Sequence, residues 1–164
     1  MTQTLAIRPL TKEGFAPFGE VLQIEGAETR VINGGSCLRF HALATVEAWG
    51  EGARAVVSLF RAEPTPLPLR LLMMERHPFG SQAFWPLSGG DWLIAVAPDD
   101  HGRPGQPIVF HASGRQGVCY APNVWHHPLL ALDQVSDFLV VDREGPGINL
   151  EEVQYDVAHE IVAD

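Results

Sequence analysis

Two short stretches carry the side chains best suited to chemistry. One runs Glu75-Arg-His77-Pro-Phe-Gly-Ser-Gln82 and the other Pro122-Asn-Val-Trp-His126-His127-Pro128. Side chains alternate along an extended segment, so Glu75 and His77 face the same way, together with Leu71 and Met73. Leu72, Met74 and Arg76 face the other way. A carboxylate and an imidazole on one surface suit metal ligation or proton transfer near neutral pH. Pro78 and Gly80 turn the chain, and Gln82 is expected to return on a paired strand. Of the neighbours His126 and His127, one should point inward and the other outward. A bland reading stands beside this one. A Glu-x-His pair on a strand is more often a solvated face, and paired histidines before proline often cap a strand end.

Such groups need a hollow scaffold to hold them. Thirteen prolines and sixteen glycines among 164 residues shorten the regular elements and multiply the turns. Extended runs are expected at 5–10, 21–24, 37–42, 53–61, 69–77, 82–86, 92–97, 107–112, 117–120, 135–142 and 153–157. A helical turn capped by Thr11 and ended by Pro17 and Gly19 interrupts them. Arg39 and His41 share one face of their strand. Many short strands at this spacing predict an all-β sandwich or barrel. One domain spanning residues 1–164 is the economical organisation, since 46% apolar and 19% charged residues are an ordinary globular balance. A net charge of -9 leaves no basic footprint for nucleic acid. Cys37 and Cys119 read as free thiols. No run has a signal-peptide pattern or membrane-spanning length, which predicts a cytoplasmic protein with no membrane partner.

The first stretch resembles the first motif of the cupin superfamily, and Pro122-x-Val124-x-x-His127 has the spacing of the second. Glu75 stands where the motif has its first histidine, Gln82 where it has a carboxylate, Val124 where it has glycine, and Ala131 at the asparagine position. The fuller wording is more specific. Residues 75–87, then Asn123-Val-Trp-His126-His127-Pro-Leu, then Ser136-Asp-Phe-Leu-Val-Val-Asp142-Arg143 resemble the ureidoglycolate lyase family. So do Arg8-Pro-Leu-Thr11, Phe15, Phe18 and Gly19 near the start, and the Asn33-Gly segment before Arg39. Together the similarity spans about residues 7–157.

The resemblance implies a cupin-like β-barrel (a double-stranded β-helix or jelly roll) with short peripheral helical turns. It implies a homodimeric lyase of allantoin and purine nitrogen catabolism that splits (S)-ureidoglycolate into glyoxylate and urea. It also implies a divalent metal, nickel, which Glu75, His77, Gln82 and His127 would hold. Metal-free operation is the alternative. The reaction is an elimination, needing a base, an acid and a cation for the carboxylate. His77 and His126 are expected as base and acid in either order, Glu75 as orienting group or ligand, and Gln82 as hydrogen-bond partner of the ureido group. Arg39 and Arg143 are candidate carboxylate clamps, each with a surface ion pair as its alternative. Arg61 and Arg76 are weaker candidates. Asn33 is either a turn residue or a ligand contact. Rival functions are another acid- or sugar-converting cupin enzyme and a non-catalytic small-ligand-binding barrel.

Overall fold

The computed structural model describes residues 2–163. In chain order the elements are β1 (Gln3–Leu5), β2 (Ile7–Pro9), α1 (Lys12–Phe15), β3 (Gly19–Leu22), β4 (Glu28–Ile32), β5 (Cys37–His41) and β6 (Arg54–Ala62). They continue with β7 (Leu69–Arg76), β8 (Gln82–Pro86), β9 (Trp92–Ala97), β10 (Asp99–Asp100), β11 (Arg103–Pro104), β12 (Ile108–Ala112) and β13 (Gly117–Tyr120). The last are β14 (Trp125–His126), β15 (Leu130–Ala131), β16 (Ser136–Glu144) and β17 (Glu151–Ile161). The all-β, barrel-shaped architecture expected from the sequence is the one the chain adopts.

Two sheets form the barrel. One has the order β1-β17-β7-β14-β9-β12-β2, with β15 also pairing β9, and the other runs β3-β13-β8-β16-β6. β9 explains why the sheets pack as they do. Its sequence is apolar without alternation, as a strand buried on both faces requires. Trp92, Ile94 and Val96 enter the lumen beside Phe84, Phe138 and Val140. Leu93, Ala95 and Ala97 join Leu71, Met74 and Trp125 in a second cluster on the opposite face. Aromatic edges interlock in the lumen, with Trp92 and Phe138 meeting at 5.0 Å in a T-shaped arrangement.

Several local expectations hold. The Thr11 hydroxyl accepts the Gly14 N–H at 3.0 Å and caps α1. Both cysteines are free, and burial pushes the Cys119 thiol up to about 11. No helix among the described residues is long and apolar enough to cross a membrane.

Others change. The expected strand at 5–10 divides, β1 pairing in parallel with β17 and β2 in parallel with β12. The run expected at 153–157 is the middle of the eleven-residue β17. Alternation along β7 is broken, because Leu71 buries with Met74 rather than on the Glu75 side. That change of phase coincides with a register shift between Gln154 and His159 on the paired β17. β8 pairs with β13 and β16, not with β7, so Gln82 approaches the interior from the facing sheet.

Phe138 is fully buried against Trp92 at the centre of the lumen. Phe138→Ala should lower the unfolding free energy by about 3–5 kcal/mol in urea denaturation. A midpoint equal to that of the parent would contradict this placement of the core.

Candidate active site

β14 is only two residues long, yet it fixes the centre of the site. His126 pairs with Glu75 of β7 on one side and with Val96 of β9 on the other. That register aims His126 inward, where it is 2% exposed, and sends Trp125 to the outer cluster. The His126 ring stacks on Tyr120 at 4.3 Å and 16°. Its Nε2 lies 3.5 Å from Glu75 Oε1, and His77 Nε2 lies 3.9 Å from the same oxygen. One ligand atom from each of the three residues lies within 4.8 Å of the others.

The other nitrogen of each ring is already engaged. His77 Nδ1 lies 2.8 Å from the Asn149 carbonyl, and His126 Nδ1 lies 2.9 Å from the Val124 carbonyl. A carbonyl can only accept, so each Nδ1 carries the proton and each neutral ring keeps its lone pair on Nε2. Both Nε2 atoms are buried without a hydrogen-bond partner, as is Gln82 Oε1. Buried polar atoms are rarely left unpaired, so three converging ones indicate a place meant for something else. Burial pushes the Glu75 carboxyl up, but the positive charge that His126, then His77 and His127, carry when protonated outweighs it and holds the group below the usual carboxylate range. Glu75 is therefore anionic near neutral pH.

A cavity of about 350 Å³ opens in front of these groups. Phe60, Phe84, Pro128 and Leu129 give it apolar walls. Arg61, Glu75, Gln82, Tyr120, His126 and His127 supply its polar atoms. His77 stands behind this lining, its ring 5.2 Å from that of His126. Burial, with the charge of Glu75, pushes the Tyr120 phenol far up, so it stays protonated. His127 turns the other way from His126 along the chain but still borders the cavity, with Nδ1 2.8 Å from the Pro128 carbonyl. Burial pulls its imidazole below the ordinary value, against the opposing pull of Pro128 and Glu75, and keeps it neutral at pH 7.

The structure thus gathers Glu75, His77, Gln82, His126 and His127 around one space, with His126 rather than His127 in the cluster at its centre. It does not bring Arg39, Arg143 or Asn33 there. Arg39 lies opposite Arg30 in the β4–β5 ribbon, and Asn33 forms the turn at its tip with a left-handed φ of 54°. Arg143 donates to the Trp49 and Pro146 carbonyls, each at 2.7 Å, and lies over the Phe79 ring. These bonds frame the turn that follows His77. Gly80 in that turn has no room for a side chain, since a Cβ there would lie 2.8 Å from the Glu47 carbonyl oxygen. Arg76 points away, as alternation requires, 4.2 Å over the Trp125 ring.

The guanidinium that does border the cavity is Arg61, paired with Asp137 at 2.7 and 2.9 Å. Tyr120 went unnoticed in the sequence, although it shares the phase of buried Val118 at the end of β13. Asn149 carries no sequence signal. Its carbonyl fixes His77 while its side-chain oxygen accepts the Phe79 N–H at 2.7 Å.

Comparisons with known proteins identify the family. The family model described as ureidoglycolate lyase matches residues 2–162. A Rhizobium etli (strain CIAT 652) protein named ureidoglycolate lyase is 61% identical over 152 residues, covering 93% of this chain and 92% of that one. Ureidoglycolate lyase 1 of Rhizobium meliloti (strain 1021) is 57% identical over 158 residues, covering 96% and 93%. Among solved structures, a dTDP sugar isomerase from Desulfovibrio desulfuricans G20 aligns with a TM-score of 0.48 at 16% identity, over 80% of this chain and 86% of that one. That likeness is too loose to carry an argument.

The hold of the Asn149 side chain on the turn after His77 can be checked without any assay of turnover. Asn149→Ala removes the acceptor of the Phe79 N–H, and hydrogen exchange at that amide should accelerate about tenfold, the worth of one hydrogen bond. Unchanged exchange would show that Asn149 does not hold the turn.

Proposed function

The chain belongs to the ureidoglycolate lyase family, and on that premise we propose that it cleaves ureidoglycolate into glyoxylate and urea in the cavity in front of Glu75, His77 and His126. The reaction belongs to allantoin breakdown. The observation that carries the reading is the convergence of two unpartnered Nε2 atoms on an anionic carboxylate at the back of an apolar-walled cavity.

That donor set fits a borderline divalent ion such as nickel. Two imidazole lone pairs and one carboxylate are suitable ligands, and the Asn149 and Val124 carbonyls fix both ring orientations as such ligands require. Glu75, His77 and His126 would hold the ion, His126 taking the place the sequence reading gave to His127. When bound, it supplies Lewis acidity that makes a carbinol hydroxyl easier to deprotonate.

The chain's own groups divide the remaining work. Arg61, at the rim, is the cation for the substrate carboxylate, using the planar fork that now faces Asp137. Gln82 Oε1 accepts from the ureido end. With His77 and His126 serving as ligands, the imidazole left for proton transfer is His127. Its Nδ1 faces the Pro128 carbonyl, so Nε2 takes the hydroxyl proton and returns it to the departing nitrogen. The carbinol collapses to the aldehyde and urea leaves. No water is consumed, and the walls formed by Phe60, Phe84 and Leu129 keep it out.

Two substitutions separate these roles. His77→Asn should lose both bound nickel, measured by elemental analysis, and release of urea and glyoxylate. His127→Asn should keep the metal and lower kcat by about 10²–10⁴-fold. Normal turnover in folded His127→Asn removes it from the chemistry, and full activity without metal removes the ligand assignment.

A homodimer is the assembly we propose, formed through the β4–β5 ribbon. A two-stranded ribbon is marginal alone, and this one exposes the register partners Val31 (70%) and Leu38 (51%) on one face. Sedimentation equilibrium should show dimers for the parent and monomers when both become Lys. A monomeric parent at micromolar concentration would contradict this.

A further inference from the structure

Asp142 takes no part in the chemistry above, yet it faces the same interior. Along β16, Ser136, Phe138 and Val140 are buried at alternate positions, and Asp142 is next in that phase. β16 and β8 pair through Val140↔Phe84 and Val141↔Ala83, so Asp142 comes opposite Gln82 one step further along. Gln82 Nε2 donates to Asp142 Oδ2 at 3.1 Å. This is the only side-chain hydrogen bond either residue makes among the described residues.

An amide side chain can present either end to a ligand, and its neighbours decide which. A carboxylate oxygen only accepts, so it holds the nitrogen end of Gln82. The oxygen end is thereby turned into the cavity, where Oε1 is buried and unpartnered on a residue only 6% exposed. An unpaired acceptor in a dry site penalises a ligand that brings no donor. We infer that Asp142 is a specificity-determining residue, locking the Gln82 amide so that the cavity selects the terminal NH₂ of a ureido group over an isosteric methyl. The inference rests on ureidoglycolate as the substrate class. Asp142 acts through Gln82 and touches no reacting atom.

Two inert analogues test it. N-carbamoylglycine is the substrate without its hydroxyl, and N-acetylglycine replaces its terminal NH₂ by CH₃. Their inhibition constants should differ about tenfold in the parent protein, in favour of the carbamoyl compound, as one hydrogen bond of roughly 1.4 kcal/mol gives. Asp142→Asn is isosteric but can donate as well as accept, which frees the amide to reverse. The ratio should then fall to about threefold or less, with N-acetylglycine bound within about twofold of its parent affinity. A merely structural role for Asp142 would weaken both analogues alike. A ratio still near tenfold in Asp142→Asn, or no preference in the parent, overturns the inference while leaving the ureidoglycolate reading standing. If neither analogue binds the parent, that reading falls and takes this one with it. Should Asp142→Asn fail to fold by circular dichroism, Asp142→Ser serves instead, since it removes the carboxylate and keeps Gln82. Loss of the preference supports the lock, and its persistence refutes it.

Discussion

The whole arrangement depends on how two imidazole rings are held. His77 and His126 each give their Nδ1 proton to a backbone carbonyl, of Asn149 and Val124 respectively. Each ring is left with a lone pair on Nε2 and nothing within the protein to receive it. Leaving a buried polar atom unpaired costs about 1–3 kcal/mol, so such a state survives only where surrounding contacts over-determine it. Those contacts are the β14–β7 register, the Tyr120 stack and the loop carrying Asn149. Local stability is given up at the spot where a ligand or metal would recover it.

The two sheets contribute different chemistry to the cavity between them. Glu75 and His126 come from adjacent strands of one sheet, and their close register permits a tight cluster. Gln82 and Asp142 come from adjacent strands of the other and form a neutral acceptor backed by a charge. In the proposed reaction, the wall that grips the reacting end of a small acid thus faces the wall that reads its amide end. Phe138, Trp92 and Val140 close the lumen beneath both and fix their separation.

The sequence made some of this legible and hid the rest for physical reasons. Alternation was enough to set Glu75 and His77 on one side and Arg76 on the other, because it depends only on local backbone geometry. The apolar run of β9 and the turn-rich spacing were enough for an all-β barrel. The choice between His126 and His127 was not legible, since a two-residue strand takes its phase from β7 and β9 rather than from itself. Arg39 and Arg143 have the right side-chain type for a carboxylate, but Arg39 lies in the β4–β5 hairpin away from the cavity, and Arg143 is held by the Trp49 carbonyl from a distant loop that no local pattern reveals. Asn149 was invisible for the same reason. β4 could have been found, because Thr29, Val31 and Ile32 precede an Asn33-Gly34 turn signal and Cys37–His41 follows it.

The central claim is that both rings carry their proton on Nδ1 and leave Nε2 free beside Glu75. Long-range ¹H–¹⁵N correlation spectra of the histidine side chains, recorded on metal-free protein at mildly alkaline pH, report the tautomer of each ring directly. The account predicts Nδ1-protonated neutral rings for His77 and His126. Nε2-protonated rings at either position would contradict it.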